Sequence, residues 1–214
     1  MAESFSSKRD YISHDISILA KYCDKDDLVL DLGCGNGRLS EILDCQYIGI
    51  DTSARMIEIA RKRYPNKKFL ITKSLNFPFP DNHFDKIFCL SVFHHIPSKR
   101  LRQEFLKEIK RILKPNGILI LTVWDLNNNE KAKKLRRQTI MKKFLTRLWY
   151  QLDFDDIYYP FKDSERLIAK RFIHMFNLKT LEKEVSKVFK IQRIEKQTRS
   201  KKGSNIFIKA RNLL

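Results

Sequence analysis

Between Leu28 and Val123 short apolar runs suited to strands alternate with stretches of helical spacing, and few folds accommodate that rhythm. The strand candidates are 28–32, 47–50, 68–71, 86–90 and 118–123; the helix candidates are 11–22, 37–43, 54–63 and 99–113. The last helix is stopped by Lys114-Pro115-Asn116-Gly117, where proline and glycine together turn the chain from helix to strand. Strand, helix and strand in repetition predict βαβ units and a mostly parallel sheet with helices on both faces.

After Trp124 the rhythm breaks. Residues 125–129 read as a polar loop, 131–150 as a helix with Leu135, Ile140, Phe144, Leu145 and Leu148 as its apolar members, and 153–169 as an irregular stretch mixing acids with Tyr158, Tyr159, Pro160 and Phe161. A helix at 178–185 and strands at 188–194 and 205–210, paired as an antiparallel hairpin, then complete a seven-stranded sheet. A length of 214 residues suits one domain, 1–214. Within it, 125–176 is expected as a helical insertion after the fifth strand, lying over the sheet edge and capping a substrate.

Charge narrows the partners. The chain carries 43 Lys and Arg against 25 Asp and Glu, a formal net of +18, which favours a polyanion such as nucleic acid or an anionic surface. Residues 131–147 hold eight basic side chains and no acid; a surface helix in a Lys-rich chain would look the same. Cys23, Cys34, Cys45 and Cys89 form no C-x-x-C pair and have no histidine at ligand spacing, so neither a metal site nor a disulfide framework is expected. The N-terminus lacks an apolar signal region and no run approaches the ~18 apolar residues of a spanning helix. Reduced thiols and a cytoplasmic location, away from membranes, are the expectation.

The run Leu28-Val-Leu-Asp-Leu-Gly-Cys-Gly-Asn-Gly-Arg-Leu39 carries the chemistry. A strand ending in Asp31 runs into Gly33, Gly35 and Gly37. Glycines there permit a sharp turn and let a ligand lie against bare backbone, while the N–H groups at the following helix start can meet a polar ligand group. Asp51, 14 positions after Gly37, ends the next strand, where a carboxylate can accept both hydroxyls of a ribose. A nicotinamide dinucleotide would use that acid equally well, but its usual glycine spacing is G-x-G-x-x-G.

These residues resemble the cofactor core of class I S-adenosylmethionine (SAM) methyltransferases, a Rossmann-like family, from about Leu28 to Val123. Phe77-Pro-Phe-Pro-Asp-Asn-His-Phe-Asp85, Leu90-Ser91-Val-Phe-His-His95 and Leu113-Lys-Pro-Asn-Gly117 are similar to the family's later motifs. The resemblance implies that Asp31 orients the amino-acid end of SAM, that Gly33, Gly35 and Gly37 pack beneath it, and that Asp51 holds the ribose. Cys34, Thr52, Met56, Leu90 and Ser91 complete the implied cofactor wall. Where many relatives place Asp near the adenine, this chain has Lys73, so backbone at Ser74 and Leu75 is implied as the base contact.

Phe5-Ser-Ser-Lys-Arg9, Ser91-Val-Phe-His-His95-Ile and Asp156-Ile-Tyr-Tyr-Pro-Phe161 with Lys170-Arg-Phe-Ile-His-Met-Phe176 are further similar to stretches of the tRNA wobble-uridine methyltransferases. Those enzymes esterify a carboxymethyl group on uridine. A carboxylate is ionised at neutral pH, so methylation needs alignment rather than a strong base. Arg9, Arg171 and His174 are candidates to hold it, with His94 or His95 lining the pocket; Arg171 and His174, three apart, can equally form a solvated face. No Asn/Asp-Pro-Pro-Tyr/Phe motif for base amines follows the fourth strand, and Cys89 lies within a strand, unsuited to covalent attack. The resemblance also implies tRNA as partner and a small zinc-binding activator, for which the third-strand edge at Phe69 and Ile71 is the candidate contact. Two other readings stand: a methyltransferase for a small metabolite or quinone with Phe144, Trp149, Tyr158, Tyr159 and Phe161 as an apolar lid, and a non-catalytic SAM-fold RNA-binding or partner module.

Overall fold

Alternate residues of a strand face opposite sides of a sheet, and strand β1 (Leu28–Leu32) uses both sides. Leu30 and Leu32 join Ile87 and Cys89 in one core, whereas Val29 joins Phe88 in the other. Burial on both faces is what a parallel sheet between two helix layers demands. The computed structural model describes residues 17–146, 153–163, 166–199 and 203–213.

In chain order β1 is followed by β2 (Gln46–Asp51), α1 (Ala54–Arg63), β3 (Lys68–Ile71), β4 (Phe84–Leu90), α2 (Lys99–Ile112) and β5 (Leu113–Asp125). Then come α3 (Glu130–Thr146), β6 (Asp156–Asp163), β7 (Arg166–His174), α4 (Leu178–Val185), β8 (Lys190–Arg199) and β9 (Gly203–Arg211). The main sheet has the order β3-β2-β1-β4-β5-β9-β8. Strands β1 to β5 pair in parallel, while β9 runs antiparallel between β5 and β8. The result is the expected Rossmann-like α/β fold, with its crevice at the carboxyl ends of β1, β2 and β4.

Local chemistry starts and stops the helices. Ser53 caps α1 by accepting the Met56 N–H, and Ser98 caps α2 by accepting that of Leu101. Helix α2 buries Phe105, Leu106, Ile109 and Ile112 along one stripe, each such side chain worth about 1.5–3 kcal/mol of burial. The helix ends at Ile112; Pro115, which lacks an N–H, and Asn116 (φ 63°) then fall in the first residues of β5. Asn177 and Thr180 form a reciprocal capping box on α4. Asp85 accepts the Leu28 N–H at 3.0 Å and an ion pair from Lys114 at 2.8 Å, fastening the starts of β1 and β5 to β4.

Three expectations are corrected. The 37–43 helix is only a 3-10 turn, Arg38–Glu41, and of the 11–22 helix the described residues hold the 3-10 segment Ile18–Tyr22. Within 153–169 the described residues include a strand rather than an irregular stretch: Tyr158 pairs with Phe172 and Phe161 with Ala169 in a two-stranded antiparallel sheet apart from the main one. Pro160 masks the strand signal, but a two-stranded ribbon tolerates proline at its edge. Finally, Phe69 does not share an exposed edge with Ile71. It packs into the core beneath Gly37 and Gly49, and only Ile71 is exposed.

Helix α3 and the hairpin share a small core of Ala132, Ile157, Ile173 and Met175, flanked by Trp124, Leu135 and Tyr159. At the base of the hairpin Arg102, 1% exposed, donates to both oxygens of Glu184 (2.9 and 3.0 Å) and to Asp153 (3.0 Å).

Candidate active site

The glycine turn is shaped by packing as much as by its opening to a cavity. Gly33 sits at φ 78°, and a Cβ there would lie 2.2 Å from Val92 Cγ2. Gly35, at φ 56°, would meet only the Met56 methyl at 3.4 Å, so its bareness leaves room for a ligand. The amides of the turn are spent internally: Gly33 and Cys34 donate to the Ile50 carbonyl at 2.8 and 3.0 Å, and Gly37 donates to Cys34. Gly35 donates to Asp51 Oδ2 at 3.0 Å. The expectation that helix-start N–H groups face a ligand is therefore corrected for these amides; what they give the site is shape.

A cavity of about 520 Å³ opens over this turn, within the ~300–1,000 Å³ usual for small-molecule sites. Among the residues expected at a cofactor, Gly33, Cys34, Gly35, Asp51, Thr52, Met56, Ser74, Leu75, Leu90 and Ser91 line it. Gly37 does not, because it turns the chain beneath, against Phe69. Nor does Asp31. It is 3% exposed, accepts the Tyr47 hydroxyl at 2.7 Å, and burial pushes its carboxyl up to about 7, with the Asp51 charge adding to the rise.

Asp51 is half-buried. Its Oδ1 accepts the Ser53 N–H at 2.8 Å while Oδ2 takes that of Gly35. A carboxylate has about four lone-pair sites, so roughly two remain for a ligand. Ser91 ends β4 in the left-handed region, at φ 61°, held by its N–H to the Thr122 carbonyl and hydroxyl. Lys73 lies on the wall where an acid was the alternative.

The far end of the cavity is lined by His95, Trp124, Phe161 and Arg171. Residue parity in β7 decides what the hairpin contributes: on a strand, positions three apart face opposite sides. Arg171 faces the cavity, its guanidinium 4.9 Å from the Trp124 ring centroid and 4.9 Å from that of Phe161. Its Nε has no hydrogen-bond partner and no carboxylate pairs with it among the described residues; burial pulls its pKa below the usual arginine range. His174 faces away, buried, with Nδ1 2.6 Å from Asp156 Oδ1. It is not on the cavity wall, so its expected contact with the acceptor is corrected, as is the solvated-face alternative for the pair.

His95 lies on the wall with Nδ1 2.7 Å from the Phe172 carbonyl, which requires the proton on Nδ1. His94 is fully buried off the wall, its ring tilted against those of His95 (centroids 4.3 Å apart) and Trp124 (4.9 Å). Arg9 lies outside the described residues. Among the wall residues missed in the sequence is Trp124, whose place at the carboxyl end of β5 was the signal available. Asp153, Asp156 and His174 bring ligand-type atoms within 4.8 Å of one another. Arg102 already compensates Asp153, and His174 bonds Asp156, so the group reads as a structural network. Among the described residues no helix is long and apolar enough to cross a membrane.

Comparison with known proteins agrees with this geometry. A family model described as "Methyltransferase domain" matches residues 30–121. An uncharacterized protein of Methanocaldococcus jannaschii is 32% identical over 194 residues, 85% of this chain and 82% of that one. The "tRNA (carboxymethyluridine(34)-5-O)-methyltransferase" of Arabidopsis thaliana is 29% identical over 125 residues, 58% of this chain and 30% of that protein. The chain spans only 24% to 30% of the length of the curated tRNA-methyltransferase relatives at the head of the comparison. A solved SAM-dependent methyltransferase from Methanosarcina mazei shares the fold, with a TM-score of 0.77 at 22% identity over 92% of this chain and 97% of that one. Residues 30–121 therefore form a methyltransferase domain, and the chain has the fold of the SAM-dependent methyltransferases, whose cofactor is S-adenosylmethionine.

Proposed function

We propose that this enzyme methylates the carboxylate of a carboxymethyl-modified wobble uridine in tRNA. The observation that carries the reading is Arg171, a cation placed between two rings at the acceptor end of the cavity, with no carboxylate paired to it among the described residues. Burying an uncompensated guanidinium is costly, and an incoming carboxylate supplies the missing charge with bidentate geometry. The name of the Arabidopsis relative states that acceptor for that protein.

The cavity fits SAM by its own residues. The free lone pairs of Asp51 suit the two ribose hydroxyls, and bare Gly35 admits the ligand close to the backbone. Ser74 and Leu75 are the backbone contacts for the base, beside Lys73. Asp31, beneath the floor, acts on the amino-acid end through the turn rather than by lining the site. When bound, SAM would supply an electrophilic sulfonium methyl group to the carboxylate oxygen, the C–S bond breaking as the ester O–CH3 bond forms and S-adenosylhomocysteine leaving as a neutral thioether. No general base is needed, so the chain's task is to align and partly desolvate the acceptor. Arg171 holds one carboxylate oxygen while Trp124 and Phe161 exclude water around it.

The segment 125–176 then serves as the acceptor cap, with exposed basic residues of α3 such as Lys134 and Arg137 directed to RNA phosphates. An activating partner is assigned to the β3 edge at Ile71, 45% exposed. The aromatic and aliphatic wall formed by Phe77, Ile96 and Phe105 favours one second reading, a small apolar acceptor. The test is methyl transfer from labelled SAM to total tRNA at two salt concentrations, with nuclease digestion and identification of the nucleoside. A methyl ester on carboxymethyluridine supports the proposal; SAM binding with no transfer to tRNA moves the assignment to the small acceptor.

A further inference from the structure

The described residues include six exposed large apolar side chains, and four of them lie on α3 or in and just before β6: Met141, Phe144, Phe154 and Tyr158. Phe144 is 75% exposed. On α3, Lys134, Arg137, Met141 and Phe144 follow one another at steps of three and four, so they lie along a single helix face. That face is exposed throughout, spans about 15 Å, and is basic toward its N-terminal end and apolar toward its C-terminal end. Lys143 Nζ sits 4.6 Å from the Phe154 ring centroid, placing a cation against a second exposed ring. Helix α3 carries seven basic residues and one acid, Glu130, which already pairs with Lys133.

We infer that this face of α3, with Phe154 beside it, binds an unpaired loop of RNA, stacking bases on Phe144 and Phe154 while Lys134 and Arg137 engage phosphates. The inference deepens the tRNA reading above and rests on it for the identity of the polymer. Phosphate attraction alone requires only the cations. Exposed rings are useful to a ligand that offers open π-faces, which loops present and paired stems do not. A membrane-lying helix would segregate its basic and apolar residues onto opposite faces, whereas α3 carries both in series on one. The inner side of α3 packs through Ala132 and Leu135 against the hairpin that bears Phe161 and Arg171. A loop held on the outer side is therefore held by the element that builds the acceptor end.

The experiment compares binding of a stem-loop with a seven-nucleotide loop against a blunt duplex of equal phosphate number, by fluorescence anisotropy. It uses the full chain and its Phe144→Ala, Phe154→Ala and Lys134→Ala/Arg137→Ala variants, with SAM affinity and methylation of free 5-carboxymethyluridine as controls. Each aromatic variant is expected to weaken stem-loop binding by about 5- to 150-fold, leaving duplex binding and both controls unchanged. The double basic variant weakens both RNAs and lowers the salt slope by up to about 1.8. Aromatic variants that bind the stem-loop like the parent overturn the inference, as does capture of the parent by phosphatidylserine vesicles in preference to the stem-loop. A stem-loop preference lost in the aromatic variants, with no methylation of carboxymethyluridine by the parent, upholds the surface and removes the acceptor reading. Methylation that persists while the aromatic variants bind normally does the reverse.

Discussion

Replacing Arg102 with methionine should unfold this protein at a much lower urea concentration, and the size of the drop follows from what the guanidinium touches. It is 1% exposed and donates twice to Glu184, once to Asp153 and weakly to the Ile96 carbonyl at 3.5 Å, and it lies over the Phe176 ring. Methionine fills much of the volume but strands the Glu184 carboxylate, itself buried. Breaking a buried pair from one side costs about 3–5 kcal/mol. Asp153 is 43% exposed at its side chain and rehydrates, so it adds little. With a urea slope of about 2–3 kcal/mol per molar for a chain of this size, the midpoint should fall by about 1–2 M, read by tryptophan fluorescence and circular dichroism together. Arg102→Met combined with Glu184→Leu removes both charges and should recover most of the loss, a coupling of opposite sign to the single effects. A single-variant shift under about 0.3 M, or simple additivity in the double variant, would refute the account of Arg102 as the charge that binds α2, α4 and the hairpin base.

Asp31 carries a raised pKa in the fold, about 7, so its contribution is full below the unfolded value and is lost as pH rises through the folded one. Ligand-free protein should lose about 4 kcal/mol between pH 4 and pH 8 from this group alone, and Asp31→Asn should flatten that part of the profile in urea titrations. Gly33→Ala places a Cβ against Val92 at φ 78°; it should cost at least about 1–2 kcal/mol and weaken SAM binding measured by calorimetry. Adding Val92→Ala should relieve the clash but not the backbone strain. Arg171→Met should raise the melting temperature by removing a half-buried cation that has no carboxylate partner among the described residues, yet raise the acceptor KM by about 10- to 100-fold with SAM affinity unchanged. A lower melting temperature would refute the view of Arg171 as a strained, substrate-directed group.

The sheet and the cofactor turn were legible because both rest on short-range patterns. Runs such as Leu28-Val-Leu and Ile118-Leu-Ile, and the glycines before Arg38, constrain the backbone wherever they occur. Asp51 was legible for the same reason, standing at the end of a strand next to that turn. The acceptor end was only half legible, because it depends on which way a strand faces. Read with helical spacing, Arg171 and His174 share a side; on β7 their odd separation sends one to the cavity and the other to Asp156. Pro160 and the mixed acids around it hid the strand that would have revealed this. The internal use of the Gly33, Cys34 and Gly35 amides was not readable either, since their acceptors, Ile50 and Asp51, come from a neighbouring strand.

Among the described residues the two-stranded sheet of β6 and β7 shares no backbone ladder with the main sheet. The cavity's cofactor end is built on β1, β2 and β4, and two of the four residues at its far end, Phe161 and Arg171, stand on the separate ribbon. Inheritance can therefore act on the two separately: exchanging residues 156–174 for another ribbon with the same inward parity alters the accepted molecule while the methyl donor site stays as it is. An insertion of a single residue within β7 is the change this arrangement tolerates least, since it would turn Arg171 outward and bring its neighbours in.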